Sequence, residues 1–169
     1  MTCKLQLTTL LVVGEGQDDK AFLEHLKSLF CPRRCGKKVT IERGNGGSPW
    51  NIIEHAIRKN MNKSFDQKII LIDEDVPPND SSIKKAKKNK FSIIIWRPQC
   101  LEGALLETLG EKVTEGMKSC RLKKLLHPRL NGCHTDKAAY AELFTQEVVE
   151  GTTNESIQEV LGKIRGGGK

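Results

Sequence analysis

The 169-residue sequence predicts an α/β protein: an open sheet of about four parallel strands flanked by helices, followed by a C-terminal helical extension. Three observations carry that prediction. The apolar runs at residues 10–13, 69–72 and 93–95 are too continuous for a half-exposed sheet and suit parallel strands covered on both faces. Segments with helical spacing separate the runs, which calls for right-handed crossovers. Beyond Pro98 the alternation stops and helical patterns follow one another.

Residues 8–13 read as a buried strand. Residues 18–30 read as a helix with Phe22, Leu26, Leu29 and Phe30 on one face. A turn at residues 31–36 leads to a weaker strand at 38–42, with Val39 and Ile41 on one side. Ser48 is a fitting cap and Pro49 a fitting first residue for a helix that reaches about Met61 and buries Ile53, Ala56, Ile57 and Met61. A strand at 68–72, a lysine-rich helix at 81–89 and a strand at 91–96 complete the sheet. Helices are then expected at 101–109, 115–126, 136–149 and 154–164, with a frayed tail at 166–169. The length suits one domain at the usual ~100–200 residues, with a core at about 8–110 and the extension at about 111–165.

Apolar residues make up 37% of the chain, and no run approaches the ~18 residues needed to span a bilayer. The start of the chain has no long apolar stretch or small-residue cleavage site, so the expectation is a cytoplasmic protein without a membrane partner. In that compartment the six irregularly spaced cysteines are expected to be free thiols. The set Cys31, Cys35, Cys133 and His134 lacks the paired spacing of a zinc site. His25, His55 and His127 stand singly and need no catalytic role.

Lys and Arg number 28 against 21 Asp and Glu, a net charge of +7. The excess is clustered at residues 84–90, at 121–124 and at Lys163, Arg165 and Lys169. Such patches attract polyanions by counterion release, and they also serve as solvated helix faces. Aromatic residues are only 5%, which disfavours a stacking platform for single strands.

Against this basic background, carboxylates gather at two turns. Glu15 sits between Gly14 and Gly16 after the first strand, and Asp73-Glu74-Asp75 follows the third. In an open parallel sheet, ligands bind beyond the carboxyl ends of the strands. If strand geometry persists, Asp73 and Asp75 share a side and Glu74 points away. Carboxylates are the ligands Mg²⁺ prefers, with positions left for phosphate oxygens. The loop at residues 44–48 offers backbone N–H groups at a helix start, suited to a phosphate or simply to a well-capped turn. It lacks the Gly-Lys-Ser/Thr ending of a nucleotide-binding loop, so an ATPase is not expected.

The segments "LLVVGEGQDDKAFLEHL" and "IILIDEDV", in this order and strand context, resemble the TOPRIM domain of topoisomerases, primases, repair proteins and nucleases. The closest likeness is to small standalone TOPRIM proteins and to the nucleases named for overcoming lysogenization defect, and it covers roughly residues 8–110. The resemblance implies that Glu15 binds metal or acts in proton transfer and that Asp73 and Asp75 bind Mg²⁺ or Mn²⁺. It further implies that Glu102 helps form a second metal site, and that Lys137 neutralises charge on a scissile phosphate. First-turn helix placement is an equal explanation for Glu102, and a solvated lysine is the plainer explanation for Lys137.

The resulting expectation is a metal-dependent nuclease acting on DNA or RNA. Two alternatives stand beside it: a non-catalytic nucleic-acid binding or recombination mediator module, and the nuclease subunit of a defence system that requires an ATPase partner. Tyr140 is the only tyrosine and no DNA-gate region is present, so topoisomerase action is not expected; the lack of a zinc ribbon argues against a complete primase. The sequence leaves oligomeric state open, a homo-oligomer included.

Overall fold

The structure, a computed structural model, describes residues 7–165. The chain start, Cys3 and the expected frayed tail with Lys169 lie outside the described residues. Strands β1 (Thr8–Gly14), β2 (Lys37–Arg43), β3 (Gln67–Asp73) and β4 (Ser92–Trp96) form an all-parallel sheet in the order β2-β1-β3-β4. The helices are α1 (Gln17–Phe30), α2 (Pro49–Asn60), α3 (Asp80–Lys88), α4 (Leu101–Thr108), α5 (Ser119–Leu126), α6 (Gln146–Glu150) and α7 (Glu155–Ile164). An α/β open sheet with a C-terminal helix is therefore what the sequence encodes.

Strand alternation explains why the apolar runs are unbroken. Leu10 and Val12 of β1, with Ile69 and Leu71 of β3, face a core shared with α1, α4, α5 and α7. The intervening Leu11, Val13, Ile70 and Ile72 face a second core with α2 and α3. Both faces are covered along residues 10–13 and 69–72, so those positions are all apolar, while the strand ends carry Thr8, Thr9, Gln67, Lys68 and Asp73. β2 lies at an edge and buries only Val39 and Ile41, as its weaker pattern indicates.

From β1 the chain moves to β2 on one side, then crosses back past β1 to β3 and on to β4. Strand order thus reverses between β1 and β3, and the crevice at that reversal is where an open α/β sheet binds ligands.

Helix starts follow their capping residues. Ser48 Oγ accepts from the Asn51 N–H at 3.3 Å, Asn79 Oδ1 from Ser82 at 2.8 Å and Asn154 Oδ1 from Ile157 at 3.0 Å. Met61 follows the end of α2 and is 73% exposed, which corrects the expectation that it is buried. The expected helix at 115–126 begins only at Ser119, because Gly116 turns the chain with a positive φ of 87°.

The expected helix at 136–149 is likewise broken. A 3₁₀ turn (Lys137–Tyr140), started by Asp136, is followed by the short α6, whose first turn is capped by Thr145. Aromatic packing sets this break: Tyr140, tilted, and Phe144, edge-on, both pack against Phe22 of α1, with ring centroids 5.6 and 5.7 Å away. Those contacts fasten the C-terminal extension to the first crossover helix.

The cysteines depart from expectation too. Cys31 and Cys35 form a disulfide, since the turn after α1 brings their Cα atoms to 5.4 Å, within bridging reach. Cys100, Cys120 and Cys133 are free. Among the described residues, no helix is long and apolar enough to cross a membrane.

Phe144→Ala should cost about 3–5 kcal/mol, as truncating a fully buried aromatic does. Urea unfolding reads this directly, and hydrogen exchange should rise first across residues 130–150. A loss below about 1 kcal/mol would show that the aromatic contacts do not anchor the extension.

Candidate metal centre

The β1 and β3 ends open on one side of the reversal point. There, Glu15, Asp18, Asp19, Asp73 and Glu102 line a cavity of about 250 Å³ together with Lys123 and the backbone of Gly16 and Gly46. Five carboxylates therefore face a single ammonium.

Each is held by local structure. Glu15 follows β1 in the tight Gly14–Gly16 turn and accepts the Asp73 N–H at 3.1 Å, so the ends of the two central strands are tied together. Asp19, 6% exposed, accepts the Gly16 N–H at 3.2 Å and the Trp96 indole N–H at 2.7 Å. A side chain at Gly14 would place its Cβ 2.4 Å from that of Asp19, which is why this turn needs glycine. Asp73 Oδ1 accepts the Leu101 N–H at 3.2 Å, at the start of α4. Glu102, in the first turn of α4, is 2% exposed and lies 3.2 Å from His127 Nε2.

Burial and mutual repulsion dominate the electrostatics. Desolvation, reinforced by Asp19, Glu15, Glu102 and Asp75, lifts Asp73 to about 9. Burial lifts Asp19 to about 7, against the bonds from Trp96 and Gly16. Glu15 is also raised, chiefly by burial, with the Asp73 N–H opposing. Burial alone would depress the Lys123 ammonium, but Glu102, Asp18 and Asp73 outweigh it and raise its pKa. Such a set is poorly compensated when ionised. Hard oxygen donors crowded against one ammonium are suited to a divalent cation.

Not every expected site residue joins the cavity. Glu15, Asp73 and Glu102 line it. Asp75 does not: β3 ends at Asp73, the chain turns, and the exposed Asp75 accepts a 2.5 Å bond from Ser119 Oγ. Its charge is still felt at Glu15 and Asp73. Glu74 points elsewhere, accepting the Gln99 N–H at 3.0 Å and pairing with Arg97 at 3.1 Å. Lys137 is exposed on the 3₁₀ turn, outside the cavity lining. Gly46, from the loop proposed for phosphate, borders the cavity.

Sequence reasoning passed over Asp18, Asp19, Lys123 and His127. The acidic pair was visible, since a carboxylate three or four positions after Glu15 falls in the first turn of the next helix. Lys123 and His127 lie beyond the strand-helix repeat, where no periodicity places them. His127 was read as isolated, yet it contacts Glu102 and stacks on His134. The set of Cys31, Cys35, Cys133 and His134 does not assemble. The disulfide follows the C-terminal end of α1 while His134 contacts Asp18 at its other end, about 20 Å away along a 14-residue helix.

No protein-family model matches the chain, and neither the curated proteins nor the solved structures yield a match.

An acid whose pKa is raised by folding holds its proton more tightly in the native state. Its favourable contribution is complete below the unfolded value of about 4 and is lost as pH rises toward the folded value. In chelator, Asp73→Asn should therefore be more stable than the wild type at about pH 8, by on the order of 1 kcal/mol or more, and the gap should close toward pH 4. Mg²⁺ should raise the melting temperature of the wild type and leave that of the variant nearly unchanged. Thermal melts across pH, with and without Mg²⁺, check both; a variant less stable than the wild type at pH 8 would contradict the electrostatic account.

Proposed function

We propose that this chain is a divalent-metal-dependent nuclease of the TOPRIM type, hydrolysing phosphodiester bonds in DNA or RNA in the cytoplasm. The observation that carries the reading is the convergence of Glu15, Asp73 and Glu102 at the β1/β3 reversal point, in a basic protein. These three carboxylates would hold Mg²⁺ or Mn²⁺. When bound, such a cation supplies water activation and charge neutralisation at phosphate.

The remaining roles belong to the chain itself. Lys123 projects from α5 into the acidic cavity, whereas its chain neighbours Arg121 and Lys124 do not line it. Lys123 is the lysine best placed to neutralise a phosphate oxygen, a role the sequence resemblance gave to Lys137. The backbone turn at Gly46 borders the same cavity and offers N–H groups to phosphate. The other basic clusters are less directly involved. Lys85 pairs with Glu54 and lies over Trp50, while Arg165 pairs with Glu150 and lies over Phe30.

A second reading is supported by Asp75, which faces Ser119 and not the cavity. With one fewer ligand in the cavity, metal could be held without turnover, as in a recombination or repair mediator that binds nucleic acid. A defence nuclease that gains activity from an ATPase partner lies between these readings.

The test is incubation with plasmid, linear duplex, single-stranded DNA and RNA in Mg²⁺, Mn²⁺ or chelator. Cutting should require metal and fall on the order of 100-fold or more in Glu15→Gln and Asp73→Asn. Lys123→Ala should lose activity on a comparable scale, about 100-fold, whereas Lys137→Ala should retain it. Metal-dependent binding without cutting selects the mediator reading. Cutting that survives both carboxylate variants refutes the site.

A further inference from the structure

We propose that Asp18, His127 and His134 form a distinct site for a borderline transition-metal ion such as Zn²⁺, adjoining the all-carboxylate site at the strand ends. Three separate elements supply the ligands. Asp18 is in the first turn of α1, His127 follows α5, and His134 sits in the loop before the 3₁₀ turn. One donor atom from each lies within 4.8 Å of the others.

The imidazole rings stack with centroids 4.0 Å apart and planes 7° from parallel. Both turn nitrogens toward the same carboxylate: His134 Nδ1 is 2.7 Å from Asp18 Oδ1, and His127 Nε2 is 3.8 Å from Asp18 Oδ2. Tetrahedral coordination with bonds near 2.0–2.1 Å places ligand atoms about 3.4 Å apart. The two observed separations bracket that value, and binding requires the imidazoles to rotate out of their parallel stack so that both in-plane lone pairs meet the ion. Glu102 Oε1 also lies 3.2 Å from His127 Nε2, so the two sites border one another there, with Glu102 belonging to the carboxylate site.

Chemistry separates this site from its neighbour. Two imidazole nitrogens and a carboxylate are a donor set for zinc and related ions, whereas Mg²⁺ prefers oxygen alone. Each imidazole nitrogen must be unprotonated to coordinate, so metal would replace a proton between groups that are otherwise both acceptors. The scaffold is also ordered for the task. Tyr140 donates its hydroxyl to the His134 carbonyl at 2.6 Å, and the same ring packs on Phe22 of α1, the helix that carries Asp18.

The site stands whether or not the neighbouring cavity cleaves nucleic acid, and its test reads binding alone. In the full chain, NMR of imidazole resonances during titration with Zn²⁺ should shift His127 and His134 at one equivalent while buried His25 stays unchanged. Co²⁺ should produce visible absorption bands from nitrogen coordination. Calorimetry should show Zn²⁺ affinity at least about 10-fold weaker in the double variant His127→Gln/His134→Gln, and unaffected by Mg²⁺ in about thousand-fold excess. Asp73→Asn should bind Zn²⁺ like the wild type, so failure of the nuclease reading leaves this result intact. Exposed Cys133 adjoins His134, and Cys133→Ser should also bind normally. Unchanged His127 and His134 resonances would overturn the proposal without any substitution. So would full affinity in the double variant, or loss of binding in Cys133→Ser alone.

Discussion

Carboxylates crowded into a desolvated notch between two parallel strands are the constraint around which this molecule is arranged. Burial disfavours the ionised forms of Asp73, Asp19 and Glu15, and neighbouring carboxylates add to it: Asp19, Glu15 and Glu102 at Asp73, Glu15 and Glu102 at Asp19, and Asp75 and Glu102 at Glu15. The protein offsets that repulsion with directed donors. Trp96 and Gly16 serve Asp19, the Asp73 N–H serves Glu15, and the start of α4 serves Asp73. Among the described residues, Lys123 supplies the one ammonium that lines the notch. A notch this costly to ionise is the opposite of a design for stability, and it lies at the strand-order reversal, the place where open α/β sheets generally bind ligands.

The residues beyond the sheet complete that notch. α5 delivers Lys123, and the irregular stretch after it brings His127 and His134 against Asp18. That stretch has little regular structure of its own. It is held by Phe22, Tyr140 and Phe144, whose rings lie between α1 and the extension. The same cluster reaches the strand ends through Phe22, which packs against Trp96, the indole that donates to Asp19.

Much of this was legible in the residues, and the reasons differ by region. β1 and β3 were readable because the middle of a central parallel strand, covered on both faces, is continuously apolar, and Ser48-Pro49 announced α2 by its capping chemistry. Glu15 and Asp73 were legible because topology brings the turns after β1 and β3 to one edge, whereas Glu102 was suggested by the family resemblance, with helix first-turn placement an equal explanation. Asp75 was harder, since two-residue alternation ends with the strand and a turn redirects the next side chains. The break between Tyr140 and α6 was illegible because tertiary aromatic contacts override local helix propensity. For the same reason His127 looked solitary: its partners Glu102 and Asp18 are 25 and 109 positions away in the chain. The Cys31–Cys35 pairing was missed because compartment was used to judge it, whereas the tight turn after α1 decided the geometry.

The most direct measurement is anomalous diffraction from crystals grown with Mn²⁺. The account predicts a manganese peak between the Glu15 and Asp73 carboxylates, within coordination distance of both. A well-ordered structure with those carboxylates free of metal, or with manganese bound only at other surface carboxylates, would contradict it.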